Sequence, residues 1–302
     1  MKRNRLGKSE LYVSEIGLGC MSLGTDEAKA VSIIHEALEL GINFLDTADL
    51  YDAGRNEELV GKAIRGRRAD VIVATKVGNR RQLGQEGWTW DPSKAYILSA
   101  VKESLRRLGT DYIDLYQLHG GTIEDPIDET IDAFEELKKE GLIRYYGISS
   151  IRPNVIRQYV SRSGIVSVMS QYSMLDRRPE EETLPLLAEQ EVSLIARGPL
   201  AGGILTESGE SKADKDYLDY SREELPPLRR KLLELTGGAR TLAQTAIRYA
   251  LSDTAVGVVI PGASSIDQLR NNVSAADAPP LAAEEREAIR ALTKANRYVA
   301  HR

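Results

Sequence analysis

Several residue types are scarce in this chain of 302 residues, and each scarcity excludes a class of protein. The single cysteine, Cys20, allows no intrachain disulfide, as is usual in a reducing compartment. There are only three histidines, and none has ligand-like spacing, so no metal site is predicted. No apolar run approaches the roughly 20 residues of a membrane helix. The basic start, Met-Lys-Arg-Asn-Arg, lacks the apolar stretch of a secretory signal.

Positive charge is also limited. The chain has 40 Lys and Arg against 45 Asp and Glu, a net charge of −5. Nucleic-acid surfaces need clustered basic charge, and the two short basic clusters, at 2–5 and 65–68, are each followed by ordinary globular sequence. We therefore expect a cytoplasmic protein that binds neither nucleic acid nor a membrane. The sequence does not determine its oligomeric state.

Short apolar runs alternate along the chain with longer amphipathic stretches. Most of the runs are continuously apolar, as expected for parallel strands buried on both faces. There are eight, at Ile16–Cys20, Ile42–Asp46, Val71–Lys76, Ile113–His119, Ile143–Ser149, Val166–Gln171, Val192–Arg197 and Val256–Pro261.

Helical patterns with clear start and stop signals separate these runs. They are predicted at Ala28–Leu40, Glu57–Ile64, Lys94–Leu108, Ile127–Glu140, Pro153–Arg162, Thr183–Glu189, Arg240–Leu251 and Ser265–Val273, and a final stretch, Ala282–Asn296, reads as an extra helix. Eight β–α alternations predict an α/β fold, a closed (β/α)8 TIM barrel, over an open doubly wound sheet. We expect one domain over 1–302, with an N-terminal hairpin, an extra C-terminal helix and long loops at 77–91 and 201–238.

Four chemically reactive side chains lie at or just after strand ends. Asp46, Lys76 and His119 end predicted strands, and Tyr51 follows Asp46 by five residues. Active sites of such barrels lie at the carboxyl ends of the strands. A purely structural interpretation is that two of them form an ion pair beside two incidental polar residues. The presence of all four at strand ends favours a functional site instead.

The set suits the protonation of an oxyanion as a carbonyl becomes an alcohol. A phenol has a pKa near 10, and we expect an adjacent Lys76 cation, held by Asp46, to lower the pKa of Tyr51. His119 would orient a carbonyl oxygen. Carbon must receive a hydride that no side chain donates, so a nicotinamide cofactor is implied.

A glycine-rich segment, Gly17 to Gly24, offers a competing interpretation as a dinucleotide fingerprint with Asp46 as the ribose acid. Ser22 stands where the third glycine is required, and eight strands count against that fold.

The sequence resembles the aldo-keto reductase superfamily over essentially its whole length. The markers are Gly-Ile-Asn-Phe-Leu-Asp-Thr-Ala at 41–48 with Tyr51, Ala-Thr-Lys at 74–76, Asp-Tyr-Ile-Asp-Leu-Tyr-Gln-Leu-His at 111–119, Ile-Arg-Tyr-Tyr-Gly-Ile-Ser at 143–149, Gly-Pro-Leu-Ala-Gly-Gly at 198–203 and Ile-Pro-Gly-Ala-Ser-Ser at 260–265. The resemblance implies a (β/α)8 barrel that reduces aldehydes and ketones with NADPH.

The resemblance also assigns residues. It implies the tetrad Asp46, Tyr51, Lys76 and His119, with Tyr51 the general acid. The positions expected to bind the cofactor are Asp46 together with Gly19, Cys20, Met21, Ser149, Ser150, Gln171, Arg197, Gly198, Leu200, Gly202, Gly262, Ser264, Ser265, Gln268, Asn271 and Asn272.

Some positions depart from the family pattern. Ser150 stands where Asn is usual, and Arg197 where many members have a stacking Tyr, which a planar guanidinium can replace. Many members carry Lys and Arg in place of Gly262 and Gln268. The resemblance implies NADP(H), and the absence of these two charges leaves NAD(H) open as the alternative. Ser264 and Ser265 are either phosphate contacts or an ordinary helix cap.

The substrate pocket is expected to include Tyr51, His119 and, from the loop after the third strand, Trp88 and Trp90. The leading hypothesis is an NADP-dependent oxidoreductase acting on a small carbonyl substrate. Two alternatives stay open: a lyase with Lys76 as a Schiff-base nucleophile, and a cofactor-sensing regulatory subunit.

Overall fold

The computed structural model describes residues 1–81 and 87–302. Twelve strands are numbered here in chain order. They are β1 (Arg3–Arg5), β2 (Tyr12–Ser14), β3 (Leu18–Gly19), β4 (Phe44–Asp46), β5 (Ile72–Val77), β6 (Asn79–Arg80), β7 (Thr89–Trp90), β8 (Ile113–Leu118), β9 (Ile143–Ser149), β10 (Ser167–Gln171), β11 (Ser193–Arg197) and β12 (Val256–Ile260).

Eight of these strands form the parallel sheet that the sequence predicts. Their order is β3-β4-β5-β8-β9-β10-β11-β12, and every neighbouring pair is parallel. The two edge strands meet through parallel bridges at Ile16–Val259 and Gly19–Gly262. The sheet therefore curls into a (β/α)8 barrel, which confirms the predicted fold class and excludes the open sheet.

Ten α-helices accompany the strands in the described residues. They are α1 (Glu27–Glu39), α2 (Arg55–Ala63), α3 (Lys94–Leu108), α4 (Ile127–Lys139), α5 (Pro153–Arg162), α6 (Thr183–Glu189), α7 (Leu225–Leu235), α8 (Leu242–Leu251), α9 (Ile266–Val273) and α10 (Ala283–Leu292).

Local signals set most helix ends where the sequence predicts them. Ser93 accepts the amide N–H of Tyr96 at the start of α3, and Gly109 ends that helix with φ of 63°. The last helix is shorter than predicted and stops at Leu292. Beyond it the Asn296 side chain accepts the amide of Arg177 and donates to Leu175, and these bonds hold the chain out of the helix.

The long-loop predictions were incomplete. The 201–238 segment contains α7, whose buried Arg229 donates to the carbonyls of Ile204 and Thr206. These bonds fasten the helix across the preceding turns, so the segment is not one open loop. In the 77–91 loop, β6 pairs with β7, and residues 82–86 lie outside the described part.

The predicted N-terminal hairpin is present as the antiparallel pair β1–β2. Leu6, Leu11 and Val13 are fully buried with the side chains that fill the barrel interior. The Gly7 amide donates to Ser193 Oγ, at the start of β11, over 2.8 Å. The hairpin therefore closes the amino-terminal end of the barrel and leaves the carboxyl end for the site. Over residues 1–81 and 87–302, none of the helices has the length and apolarity needed to cross a bilayer.

Candidate active site

A cavity of about 950 Å³ opens at the carboxyl ends of the barrel strands. This volume lies near the upper end of the range for ligand sites, about 300–1,000 Å³. All four residues of the predicted tetrad line it. The structure thus brings together side chains that are up to 73 residues apart, from Asp46 to His119.

Lys76 is the central residue of the tetrad. Its Nζ donates to Asp46 Oδ2 at 2.7 Å, to the Thr47 carbonyl at 2.8 Å and to Tyr51 Oη at 3.2 Å. The side chain is completely buried. All three ammonium donors therefore have partners, as a charge in this setting requires.

A strained turn brings Tyr51 to Lys76. Asp52 and Ala53, which follow it directly, have φ of 48° and 56°, a backbone conformation that L-residues seldom adopt. Gly54 continues the turn at φ of 89°, where a Cβ would lie 2.8 Å from Arg107 Cδ. The turn thus folds the chain sharply back between β4 and α2.

Burial and charge set the protonation states. Burial lowers the pKa of Lys76, but the Asp46 carboxylate and Tyr51 outweigh it and hold that pKa above its usual value. Burial raises the pKa of Asp46, and Lys76 opposes the rise. We assign the pair as ammonium and carboxylate, since the two groups are hydrogen-bonded at 2.7 Å.

Tyr51 corrects one expectation. Burial raises the pKa of the Tyr51 phenol above its usual value, and the opposing pull of Lys76 is smaller. The expected net lowering is wrong, because desolvation of a phenolate in this recess outweighs one cation. Tyr51 is therefore a neutral phenol at neutral pH, which is the form that can give a proton.

His119 follows β8, and its ring meets Tyr51 edge-on with centroids 6.0 Å apart. Burial, with the nearby Lys76 and Arg197 charges, lowers the pKa of His119 to about 3. The imidazole is therefore neutral at pH 7. Its Nδ1 is buried and has no hydrogen-bond partner among the described residues. A neutral imidazole can still donate one hydrogen bond to a carbonyl oxygen.

Most of the predicted cofactor positions line the same cavity. On the walls built by β3, β9, β11 and β12 these are Gly19, Met21, Ser149, Ser150, Arg197, Gly198, Leu200, Gly202, Gly262, Ser264, Gln268, Asn271 and Asn272. Together with the tetrad they line one cavity.

Three predicted cofactor residues lie outside the cavity lining. Cys20 is fully buried below it, and burial strongly raises the pKa of its thiol. Gln171 bridges two neighbours, accepting from Arg197 Nη1 at 3.3 Å and donating to Tyr217 Oη at 3.0 Å. Ser265 caps α9 by accepting the Gln268 amide, which matches the ordinary cap interpretation.

Neither tryptophan lines the cavity. Trp88 is 53% exposed at the surface. Trp90 lies behind the lining, where a Cβ on Gly78 or Gly120 would meet its ring at 2.6 and 3.2 Å, and its Nε1 donates to Asp125. The two side chains differ in position because Trp90 is hydrogen-bonded to Asp125, whereas Trp88 is largely exposed.

The sequence interpretation missed several lining residues. The most chemically distinctive are Arg152, after β9, and Lys212, on the 201–213 turns, and the others include Ser22, Leu50, Ile151, Gly203, Thr206 and Ser208. Position after a strand end signals Arg152, whereas nothing local in the polar 206–224 stretch marks Lys212.

The walls fit an extended dinucleotide. Gly198 and Gly202 have φ near 65°, and no side chain from them fills the groove, while the space above Gly202 holds no atom within 4 Å of a Cβ position. Arg197 and Lys212 supply positive charge, and among the residues that the structure describes Asp46 is the only carboxylate in the lining. Backbone amides and cations beside an open groove are the groups that phosphates need. The residues thus fit a nicotinamide dinucleotide.

No group of three His, Cys, Asp or Glu side chains that could hold a metal ion occurs in residues 1–81 and 87–302. The site therefore has the parts of a barrel oxidoreductase: a proton donor beside a buried cation, and a groove for a phosphate-bearing cofactor.

The chain belongs to the aldo/keto reductase family, whose sequence model matches residues 15–294. Carbonyl reduction is the activity of this family, and its members use nicotinamide cofactors. The chain is thus an oxidoreductase.

Particular relatives agree. The chain is 60% identical to an uncharacterized oxidoreductase, YqkF, of Bacillus subtilis strain 168, over 100% of both chains. It is similar to the aldo-keto reductase AKR11C1 of Bacillus halodurans, with 61% identity and a TM-score of 0.96 to the holo form, covering 100% of this chain and 99% of the other. The apo form of that protein gives 56% identity and a TM-score of 0.86, at the same coverage.

Proposed function

We propose that this protein reduces aldehydes and ketones to alcohols with NADPH, with Tyr51 as the proton donor. The observation that supports this most directly is the contact of the Lys76 ammonium with both Asp46 and Tyr51 at the carboxyl end of the barrel. A cation at 3.2 Å stabilises the phenolate that remains once the proton has left.

Each residue has a defined part in the reaction. Tyr51 Oη gives its proton to the carbonyl oxygen as negative charge develops there. Lys76 stabilises the resulting phenolate, and Asp46 keeps Lys76 charged and aimed at Tyr51. His119, neutral because its pKa is about 3, orients the carbonyl oxygen by a hydrogen bond.

The nicotinamide cofactor supplies, when bound, the hydride that no side chain can donate. Ser149, near the end of β9, would hold its carboxamide and Arg197 would stack beside its ring. The Ser150 hydroxyl already accepts the Arg152 amide at 3.1 Å, which leaves Ser149 as the freer contact.

NADP(H) is the proposed cofactor form, with NAD(H) as the alternative. Sites that prefer NAD commonly place a carboxylate against the ribose 2′-hydroxyl. The wall formed by Gly262, Ser264, Gln268 and Asn271 has no carboxylate, which favours tolerance of a 2′-phosphate. Arg270, which is close to this wall in sequence, is paired with Glu36 at 2.8 Å and does not line the cavity.

The alternatives find less support. A Schiff-base role needs a neutral amine, whereas Asp46 and Tyr51 raise the pKa of Lys76 despite its burial. A regulatory subunit would hold its cofactor tightly and turn over slowly.

We also propose that residues 1–302 form a single domain and that the protein is cytoplasmic. The single cysteine, Cys20, supports the cytoplasmic location.

The test is the oxidation of NADPH and of NADH, followed by absorbance with a panel of small aldehydes and ketones. We expect turnover with NADPH and a higher KM for NADH. Borohydride trapping of a substrate adduct on Lys76 would instead favour the lyase. Tight NADPH binding without turnover on any carbonyl would favour the regulatory subunit.

A further inference from the structure

Arg152 is a cation on the cavity wall that the proposed chemistry does not use. It directly precedes α5 and follows Ser149 and Ser150, two of the proposed cofactor contacts. Its backbone is fixed by the bond from its amide to Ser150 Oγ. Its guanidinium donates to the Gly121 carbonyl, two residues beyond His119. Arg152 therefore joins the cofactor side of the cavity to the His119 side.

Each of the other cations in the cavity lining either contacts a polar side chain or lies along the proposed pyrophosphate groove. Lys76 is paired with Asp46, and Arg197 donates to Gln171. Lys212 lies against Gly203, on the turns that run along the proposed pyrophosphate groove.

Arg152 has no carboxylate within 4 Å in residues 1–81 and 87–302, the part that the structure describes. The nearby Asp125 is engaged by the indole N–H of Trp90 and by Thr122. A guanidinium has five N–H donors and stays charged, so one neutral carbonyl leaves most of its capacity unused.

The two residues that follow His119 are glycines, and the second, Gly121, carries the carbonyl that Arg152 binds. Gly120 lines the cavity, and a Cβ there would meet the Trp90 ring at 3.2 Å. Gly121 follows at φ of 122°, so a side chain is disfavoured at both positions. A substrate group can therefore pass from His119 toward the Arg152 guanidinium over bare backbone.

We propose that Arg152 is a carboxylate-binding subsite and that the substrates of this enzyme include oxo-acids, in which a carboxylate is part of the same molecule as the reduced carbonyl. The inference rests on the proposed function. Arg152 binds the carboxylate through its planar fork of N–H donors, while Tyr51 and His119 hold the carbonyl oxygen. It acts as a specificity-determining residue and takes no part in the proton transfer.

The test compares 4-oxobutanoate with its methyl ester, which has nearly the same shape but no charge. Arg152→Gln should lower kcat/KM for the acid by about 10- to 100-fold, since the variant loses a charge-assisted hydrogen bond. The value for the ester should stay unchanged. Arg152→Lys should recover part of the loss. Arg222→Gln removes a cation that is 68% exposed and is the matched control, with no expected effect.

Two results would overturn the subsite. An equal loss for acid and ester in Arg152→Gln would show a structural role, and a weaker affinity for NADPH would assign the guanidinium to the cofactor. If no carbonyl compound is reduced at all, the proposed function fails, and calorimetric titration of the NADPH-loaded protein with succinate still tests the subsite. Succinate binding that Arg152→Gln abolishes supports it, and unchanged or absent binding contradicts it.

Discussion

The two ends of the barrel are built from the same strands and have opposite character. At the amino end Leu6, Leu11 and Val13 of the hairpin fill the opening with apolar side chains. At the carboxyl end the interior opens into a groove of about 950 Å³, with a fully buried ammonium at its base. One end is closed by apolar packing, and the other carries the candidate active site.

The difference shows how a parallel barrel separates these two tasks. All strands point the same way, so residues that follow strands gather at one rim and residues that precede them at the other. The amino end is closed by one short hairpin. The carboxyl end carries long segments such as 201–238, which can vary without disturbing the core.

The largest effect is expected from removing the buried cation. Lys76→Met should lower kcat by about 10²- to 10⁴-fold, because the Tyr51 phenolate loses its stabilising charge. It should also lower the free energy of unfolding by about 3–5 kcal/mol, because Asp46 is left buried and unpaired. Steady-state kinetics and urea denaturation measure the two effects.

Two further variants separate the effects of Lys76. Asp46→Asn with Lys76→Met should recover most of the stability without recovering activity. Arg107→Met breaks another buried pair, with Glu57 at 2.7 Å, outside the cavity lining. It should destabilise the protein and lower kcat of the folded enzyme far less than Lys76→Met does. Equal kcat losses at Lys76 and Arg107 would contradict a catalytic role for Lys76.

At the opposite end, Leu11→Ala should affect stability alone. Leu11 is 1% exposed, and its truncation should lower the free energy of unfolding by about 2–5 kcal/mol through the cavity that it leaves. Chemical denaturation and kcat/KM should be measured on the same preparation. Tyr12→Ala, at a neighbouring residue that is 57% exposed, is the control and should change stability by less than about 0.5 kcal/mol. A large loss of kcat/KM in Leu11→Ala would show that the two ends are not independent.

The buried His119 side chain, at the carboxyl end, should make the folded protein less stable in acid. The pKa of His119 is about 3 in the folded protein and near 6.5 in the unfolded chain. Between these pH values the imidazole is therefore protonated in the unfolded chain and neutral in the folded protein. This contribution to stability is complete above pH 6.5 and is lost as the pH falls toward 3. From pH 7 to 4.5 the loss is about 2–3 kcal/mol.

His119→Gln should therefore lose less stability than the parent over that pH interval, as measured by urea denaturation at each pH. The parent kcat should show no imidazole titration between pH 5 and 8. A kinetic pKa near 6.5 that disappears in His119→Gln would contradict a neutral, buried ring.

The smallest effect is expected at Trp88. Because this side chain is 53% exposed and outside the lining, Trp88→Ala should leave kcat/KM unchanged. Trp90→Ala should change it measurably, since the ring supports Gly78 and Gly120 beneath the site. Equal effects of the two changes in steady-state assays would mean that the loop acts as one unit on the substrate.

The strands and helices of the barrel could be predicted well from the sequence, because local signals and tertiary structure agree there. Ile143–Ser149 and Lys94–Leu108 have the predicted bounds, one from an apolar run and the other from Ser93 and Gly109. The tetrad could also be predicted, because its members are placed by strand ends, and strand ends in a barrel share one rim.

What could not be predicted depends on contacts between distant segments. The pKa of Tyr51 is raised because packing buries it, and the sequence shows the neighbouring charge but not the depth. Lys212 reaches the cavity through the turns that Arg229 fastens. Gln171 is turned to Tyr217 by a contact between residues 46 positions apart.

In the proposed reaction Tyr51, with Lys76 beside it, delivers the proton. Single-turnover oxidation of bound NADPH by an aldehyde, with NADPH affinity measured by fluorescence, compares the parent with Tyr51→Phe most directly. We expect a rate about 10²- to 10⁴-fold lower in the variant, with unchanged NADPH affinity. Oxidation at the parent rate in Tyr51→Phe would contradict it.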